Sequence, residues 1–214
     1  MEKKIGCLFD LDGVLVDSEP LYTSFWNEIE KTHPTGVPDF ALKIKGSNLP
    51  TILNTYYTPS LHKAIIDKLQ VFEDNMVYPI FPGVIHFLEE LKTNSIPCAI
   101  VTSSSMDKVK QLFKLYPGFS RYFSGIVTGD MVTRSKPDPE CYLKGASAID
   151  MDIADCYVFE DSIFGIQAGK AAGAHVIGLS TTLPADKIKE TEPEMVIDTF
   201  TGFRLSRLTS HPKQ

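Results

Sequence analysis

Phe9-Asp10-Leu11-Asp12-Gly13-Val14-Leu15-Val16-Asp17 follows directly on Ile5-Gly6-Cys7-Leu8-Phe9 near the start of a 214-residue chain. The apolar run reads as a strand buried on both faces, as in a parallel sheet. A buried strand that ends in two carboxylates one residue apart needs something to hold them. Like charges that close raise each other's pKa, and desolvation adds to the penalty. A bound cation relieves both. Gly13 lets the backbone turn sharply where a side chain would obstruct. The stretch therefore reads as a metal-assisted reaction centre at the carboxyl end of a strand, where open α/β sheets place their ligands. The plain alternative is a strand that runs into a polar turn, and the rest of the chain has to decide.

Working outward, the downstream pattern alternates. Ser18-Glu19-Pro20 has the form of a helix start, followed by Leu21, Phe25, Trp26 and Ile29 at helical spacing. Further helices are expected over residues 39–44 and 49–57 and after Thr58-Pro59-Ser60, so residues 17–78 form an all-helical block. Beyond Ile80-Phe81-Pro82-Gly83, apolar strands at 96–101, 125–128, 156–159, 174–178 and 195–197 alternate with helices, the last of them over residues 200–208. That alternation predicts an α/β fold: a doubly wound, Rossmann-like parallel sheet core, residues 1–16 and 79–214, with an inserted helical cap domain, residues 17–78.

Composition bounds the function. The net charge of −6 argues against a general nucleic-acid partner, which would need an excess of Lys and Arg. Cys7, Cys98, Cys141 and Cys156 form no C-x-x-C pair and read as free thiols in a reducing compartment. Met1-Glu2-Lys3-Lys4 before an apolar run is superficially signal-like, but Asp10 and Asp12 interrupt that run and no small-residue cleavage site follows. No apolar stretch is long enough to span a bilayer. The expectation is a cytoplasmic monomer with no membrane partner.

Several expected strands end in polar groups of complementary kinds: Asp10 and Asp12, Thr102 and Ser103, Glu160 and Asp161. Lys136 lies between the last two pairs, in a segment that Pro137 and Pro139 keep from being helical. If the strands are neighbours, these groups meet at one sheet edge. Carboxylates suit a hard divalent cation such as Mg²⁺, and hydroxyls with an ammonium suit a phosphoryl group. Each piece also has a plain reading. Thr102-Ser103 can be a helix N-cap, Lys136 a solvated lysine, and Glu160-Asp161-Ser162 helix-start chemistry.

The four motifs in this order resemble the haloacid dehalogenase superfamily, in its branch with a helical cap inserted after the first strand. Asp10-Leu11-Asp12-Gly13-Val14 is similar to its first motif, Thr102-Ser103 to its second and Lys136-Pro137-Asp138-Pro139 to its third. Glu160-Asp161-Ser162, with the trailing Gly165-Ile166-Gln167-Ala168-Gly169, is similar to its fourth. The resemblance implies a phosphatase acting on a small phosphorylated metabolite or pyrophosphate. Asp10 would be the nucleophile that forms an aspartyl phosphate, Asp12 the general acid and base, and Thr102, Ser103 and Lys136 the phosphoryl-binding groups. Mg²⁺ would be held by Asp10, the Asp12 backbone carbonyl and Asp161, with Glu160 close by. Members of the branch also include a β-phosphoglucomutase, which carries a histidine where Tyr22 stands and a phosphate-binding arginine where Gly46-Ser47-Asn48-Leu49 has none. Hydrolysis is therefore expected over a sugar-phosphate mutase, and the intact acids Asp10 and Asp12 speak against a non-catalytic phosphate-ligand binding protein. Tyr22 can be a polar contact or a packed ring, and Lys43 and Lys45 can be ligands or solvated.

Overall fold

The computed structural model describes residues 4–209. Most of the basic lead-in at Met1-Glu2-Lys3-Lys4 therefore lies outside the described residues. Six strands, β1 (Gly6–Phe9), β2 (Cys98–Val101), β3 (Gly125–Val127), β4 (Cys156–Glu160), β5 (His175–Leu179) and β6 (Met195–Ile197), form one sheet in the order β3-β2-β1-β4-β5-β6. Every pairing in it is parallel. The order runs outward from β1 in one direction through β2 and from β4 in the other. The β1–β4 seam is thus the point where the winding reverses, and a crevice opens there at the carboxyl ends of the strands.

The described residues also form the α-helices α1 (Glu19–Thr32), α2 (Phe40–Lys43), α3 (Leu49–Tyr56), α4 (Pro59–Asp74), α5 (Val84–Thr93), α6 (Met106–Leu115), α7 (Glu140–Ala148), α8 (Ile163–Ala172), α9 (Ala185–Lys189) and α10 (Ser206–Thr209). Side chains alternate across the strands, as the pleat requires. Cys7, Phe9, Cys98 and Ile100 join α5 and α6 in one apolar cluster, while Leu8, Ala99, Val101 and Val158 join α7 and α8 in another. Both faces of the sheet are therefore covered, which is why its strands read as unbroken apolar runs. Phe9 stacks on Phe159 with ring centroids 4.7 Å apart, and Phe87 and Phe200 close over the pair.

The C-terminal stretch differs from the sequence expectation of a helix over residues 200–208. Phe200 and Phe203 both insert into the core, Gly202 turns through a positive φ of 73°, and only Ser206–Thr209 is helical. Burying two rings three residues apart against the same sheet face is worth more than a short amphipathic helix would gain.

Helices α1 to α4 leave the sheet after β1 and build an apolar cluster of their own around Trp26, Phe40, Ile65 and Leu69. The two chain segments that connect them to the sheet run side by side. Val16 and Ile80 form an antiparallel bridge, Asp17 N donates to Pro79 O at 2.9 Å and Phe81 N to Leu15 O at 3.0 Å. This paired stem positions the helical layer over the end of the β1–β4 seam.

Candidate active site

Phe9 and Phe159 are in register, so the next residues, Asp10 and Glu160, emerge side by side from β1 and β4. Asp10 N donates to Phe159 O at 3.1 Å, which pins the first residue beyond β1 to the neighbouring strand. Lys136 reaches this seam from the loop before α7. Its Nζ donates to Asp10 Oδ1 at 3.1 Å, to Glu160 Oε1 at 2.6 Å and to Val101 O at 3.4 Å. The plain reading of Lys136 as a solvated lysine is overturned, because its side chain is 2% exposed.

Glu160 is saturated. Oε1 accepts from Lys136 and, at 2.6 Å, from the Tyr142 hydroxyl. Oε2 accepts from Asp161 N at 3.1 Å, Ser162 N at 3.2 Å and Ser162 Oγ at 3.0 Å. Gly165 in the first turn of α8 makes room for it, since a Cβ there would lie 1.8 Å from Glu160 Oε1. Ser162 is also the N-cap of α8, accepting from Gly165 N at 3.0 Å, so helix-start chemistry and the carboxylate network share one segment. Thr102 and Ser103 do not cap α6. That position belongs to Ser105, which accepts from Lys108 N.

The electrostatics follow from burial. Asp10 is pushed up to about 7 by burial, with Glu160 and Asp12 adding and Lys136 opposing. Burial also drives Asp161 well above the ordinary carboxylate range, with Glu160 adding to it. Lys136 is raised as well, for a different reason: burial disfavours its ammonium, but the Asp10 and Glu160 charges outweigh that and hold the proton. Asp10, Glu160 and Asp161 each offer an oxygen within 4.8 Å of the others, all of them buried. Crowded buried carboxylates of this kind are what a hard divalent cation stabilises. The donor set therefore fits Mg²⁺. Because Glu160 already has five donors, Asp10 and Asp161 have the freer oxygens, and Glu160 orients the groups around them. Asp12 stands outside this cluster, because its carboxylate is used elsewhere.

That carboxylate is held on three sides by Ser18 Oγ, by Ser104 Oγ at 2.8 Å and by Lys108 Nζ. Burial alone would raise Asp12, but Lys108 and the hydroxyls outweigh it and hold it below its ordinary value. Ser18 sits at the helix N-cap position, yet its side chain makes no capping bond and turns to Asp12 instead. Lys108, Ser104 and Tyr142 are participants that the sequence reading did not single out. Lys108 carried one signal: it lies four residues before Leu112 on the apolar column of α6, where a solvated lysine does not belong.

The helical layer closes over this edge. Ser103 Oγ donates to Gly46 O at 3.0 Å, and Thr51 and Ser135 join their hydroxyls at 3.0 Å. Between the layers lies a cavity of about 320 Å³ lined by Asp10, Asp12, Thr102, Ser103 and Asp161 from the sheet side, and by Glu19, Tyr22, Trp26, Lys45 and Glu73 from the helices. Tyr22 is both a polar contact and a packed ring: its hydroxyl donates to Glu73 Oε1 at 2.7 Å, and its ring packs on Phe72 beneath the Lys108 ammonium, 4.0 Å away. Lys45 is paired with Glu19 at the cavity wall, whereas Lys43 is exposed. A cavity with buried carboxylates, an ammonium and hydroxyls at one end can bind a phosphoryl group and a cation there, with room above for the rest of a small molecule.

Comparison with known proteins gives consistent matches. A family model described as haloacid dehalogenase-like hydrolase matches residues 6–173. The chain is 32% identical over 200 residues to Hexitol phosphatase A of Escherichia coli, covering 90% of this chain and 89% of that protein. The fold superimposes on a haloacid dehalogenase hydrolase of Entamoeba histolytica with a TM-score of 0.81 and 26% identity, covering 96% of this chain and 98% of the other. It also superimposes on β-phosphoglucomutase of Clostridium difficile with a TM-score of 0.79 and 20% identity over 97% and 96% of the two chains, a likeness of fold.

Proposed function

This chain belongs to the haloacid dehalogenase-like hydrolases, and on that footing we propose that it is a Mg²⁺-dependent phosphatase of small phosphorylated metabolites that works through an aspartyl phosphate on Asp10. The observation that carries the reading is the seam of β1 and β4, where Asp10, Glu160 and Asp161 converge and Lys136 bridges two of them. When bound by Asp10, Asp161 and the Asp12 carbonyl, Mg²⁺ supplies charge stabilisation for the phosphoryl oxygens.

The side chains have distinct tasks. The Asp10 carboxylate attacks phosphorus, forming the Asp10–phosphorus bond as the ester oxygen leaves and takes a proton from Asp12. Water then attacks the same phosphorus, gives its proton to Asp12, and inorganic phosphate departs, restoring Asp10. Lys136 holds the Asp10 carboxylate in line and offsets charge that builds on the phosphoryl group. The Thr102 hydroxyl and the Ser103 backbone N–H, at the cavity floor, donate to that group. Lys108, Ser18 and Ser104 aim Asp12 and stabilise its carboxylate, the form left once it has protonated the leaving oxygen and the form that takes the water's proton.

Hydrolysis is favoured over phosphoryl transfer within a sugar by the cavity's upper wall. Residues 17–78 contain no arginine, and the lysine that lines the cavity from the helical layer, Lys45, is already paired with Glu19. A mutase must grip a second phosphate there while the sugar turns over. The test is inorganic phosphate release from a panel of phosphate esters, with and without Mg²⁺. Metal-dependent release from several sugar or polyol monophosphates is expected, and an inert protein across the whole panel refutes the reading.

A further inference from the structure

We propose that Glu73 is a specificity residue of this cavity, selecting phosphate monoesters whose leaving group is uncharged and hydroxyl-bearing and rejecting those that carry a second anionic group. The inference rests on the phosphatase reading above and adds what the enzyme accepts. The wall facing the phosphoryl end contributes four ionisable side chains: Glu19, Tyr22, Lys45 and Glu73. Glu19 and Lys45 form an ion pair and cancel. Tyr22 is neutral and spends its hydroxyl proton on Glu73 Oε1 at 2.7 Å. Among the described residues, the ionisable group on that wall left without an ion-pair partner is Glu73; burial raises it, while the Tyr22 hydrogen bond and the Lys108 ammonium favour its carboxylate form.

Its geometry suits recognition. The hydrogen bond from Tyr22 fixes one oxygen, and the Tyr22 ring is itself held between Phe72 and the Lys108 ammonium. No donor among the described residues occupies Oε2, which leaves an acceptor in a partly desolvated position. A substrate hydroxyl satisfies that acceptor. A substrate carboxylate or second phosphate meets a like charge in low dielectric, while the Lys108 and Lys45 ammonium groups nearby are already paired with Asp12 and Glu19. A site built to accept a hydroxyl hydrogen discriminates strongly against an analogue that lacks it.

Two matched pairs test this, differing only at the distal group: glycerol 3-phosphate against 3-phosphoglycerate, and glucitol 6-phosphate against 6-phosphogluconate. The wild type should favour the hydroxyl partner in kcat/KM by about 10- to 100-fold, the range expected for one like-charge contact. Glu73→Gln should cut that ratio at least tenfold, and Glu73→Lys should invert it. Using the ratio cancels any general loss of activity. Gln70→Lys, on the same cavity wall, should lower the ratio as well and serves where a Glu73 variant does not fold. A wild-type ratio near one, or ratios unchanged in all three variants, overturns the inference while leaving a phosphatase. A wild type that releases no phosphate even from acetyl phosphate overturns the phosphatase reading and the inference with it.

Discussion

The ammonium of Lys108 rests on the carboxylate of Asp12, ninety-six residues away in the chain, and is buried there over the ring of Tyr22. One ion pair thereby joins the sheet edge, helix α6 and the helical layer at the proposed acid–base group.

Replacing Lys108 by Met leaves Asp12 with two hydroxyl donors and no counter-ion. Breaking a buried pair by removing one partner costs on the order of 3–5 kcal/mol, and urea denaturation should register a loss of that size. Because Lys108 holds Asp12 low, its removal raises Asp12, so the base form is lost at a higher pH. The acid limb of the kcat profile should move to higher pH, with kcat down roughly 100-fold. A profile that stays in place refutes the role given to Lys108.

Asp10→Asn removes the nucleophile and nearly preserves shape. Turnover should fall by at least about 10³-fold. Rapid acid quench of the wild type with substrate should trap a phosphoprotein that hydroxylamine cleaves, as an acyl phosphate is cleaved. The variant should form none.

Metal binding should depend on pH in a definite direction. Asp10 rises from 3.8 to about 7 when its site holds no cation. The native state then binds its proton more tightly than the unfolded chain does, so the metal-free protein loses stability as pH climbs through that window. Mg²⁺ competes with the proton. The rise in Tm produced by Mg²⁺ should therefore be larger at pH 8 than at pH 5.5, as thermal melts at fixed metal concentration would read. An equal rise at both pH values counts against Asp10 as a ligand.

Gly165→Ala reverses the usual sign for a helix interior. Propensity alone would favour Ala by about 1 kcal/mol. Here the added methyl meets the Glu160 carboxylate, so net destabilisation by roughly 1–3 kcal/mol is expected. Activity should fall too, as Glu160 is displaced from Lys136 and Tyr142. A more stable Gly165→Ala protein would mean that Glu160 is not locked as described.

Much of this architecture could be read along the chain. Strands buried on both faces appear as apolar runs, and the polar residues at their ends, Asp10, Thr102 and Glu160, stand out against the apolar run that precedes each of them. The expected helix over residues 200–208 failed because Phe200 and Phe203 serve the sheet, a long-range demand that local propensity does not encode. Lys108 and Tyr142 were missed for a related reason. Each sits in an ordinary amphipathic helix, and only its packing partner gives it a role.

The order of residues by itself determined an alternating α/β fold and placed carboxylates at strand ends, because periodicity and the cost of stranded charge act locally. Tertiary structure alone decided which groups meet. Parallel pairing in register set Asp10 beside Glu160, the placement of α6 brought Lys108 to Asp12, and that of α4 put Glu73 on the cavity wall. Electrostatic interactions depend on distance through space and on exclusion of water, and neither quantity is written in the spacing of residues along a chain.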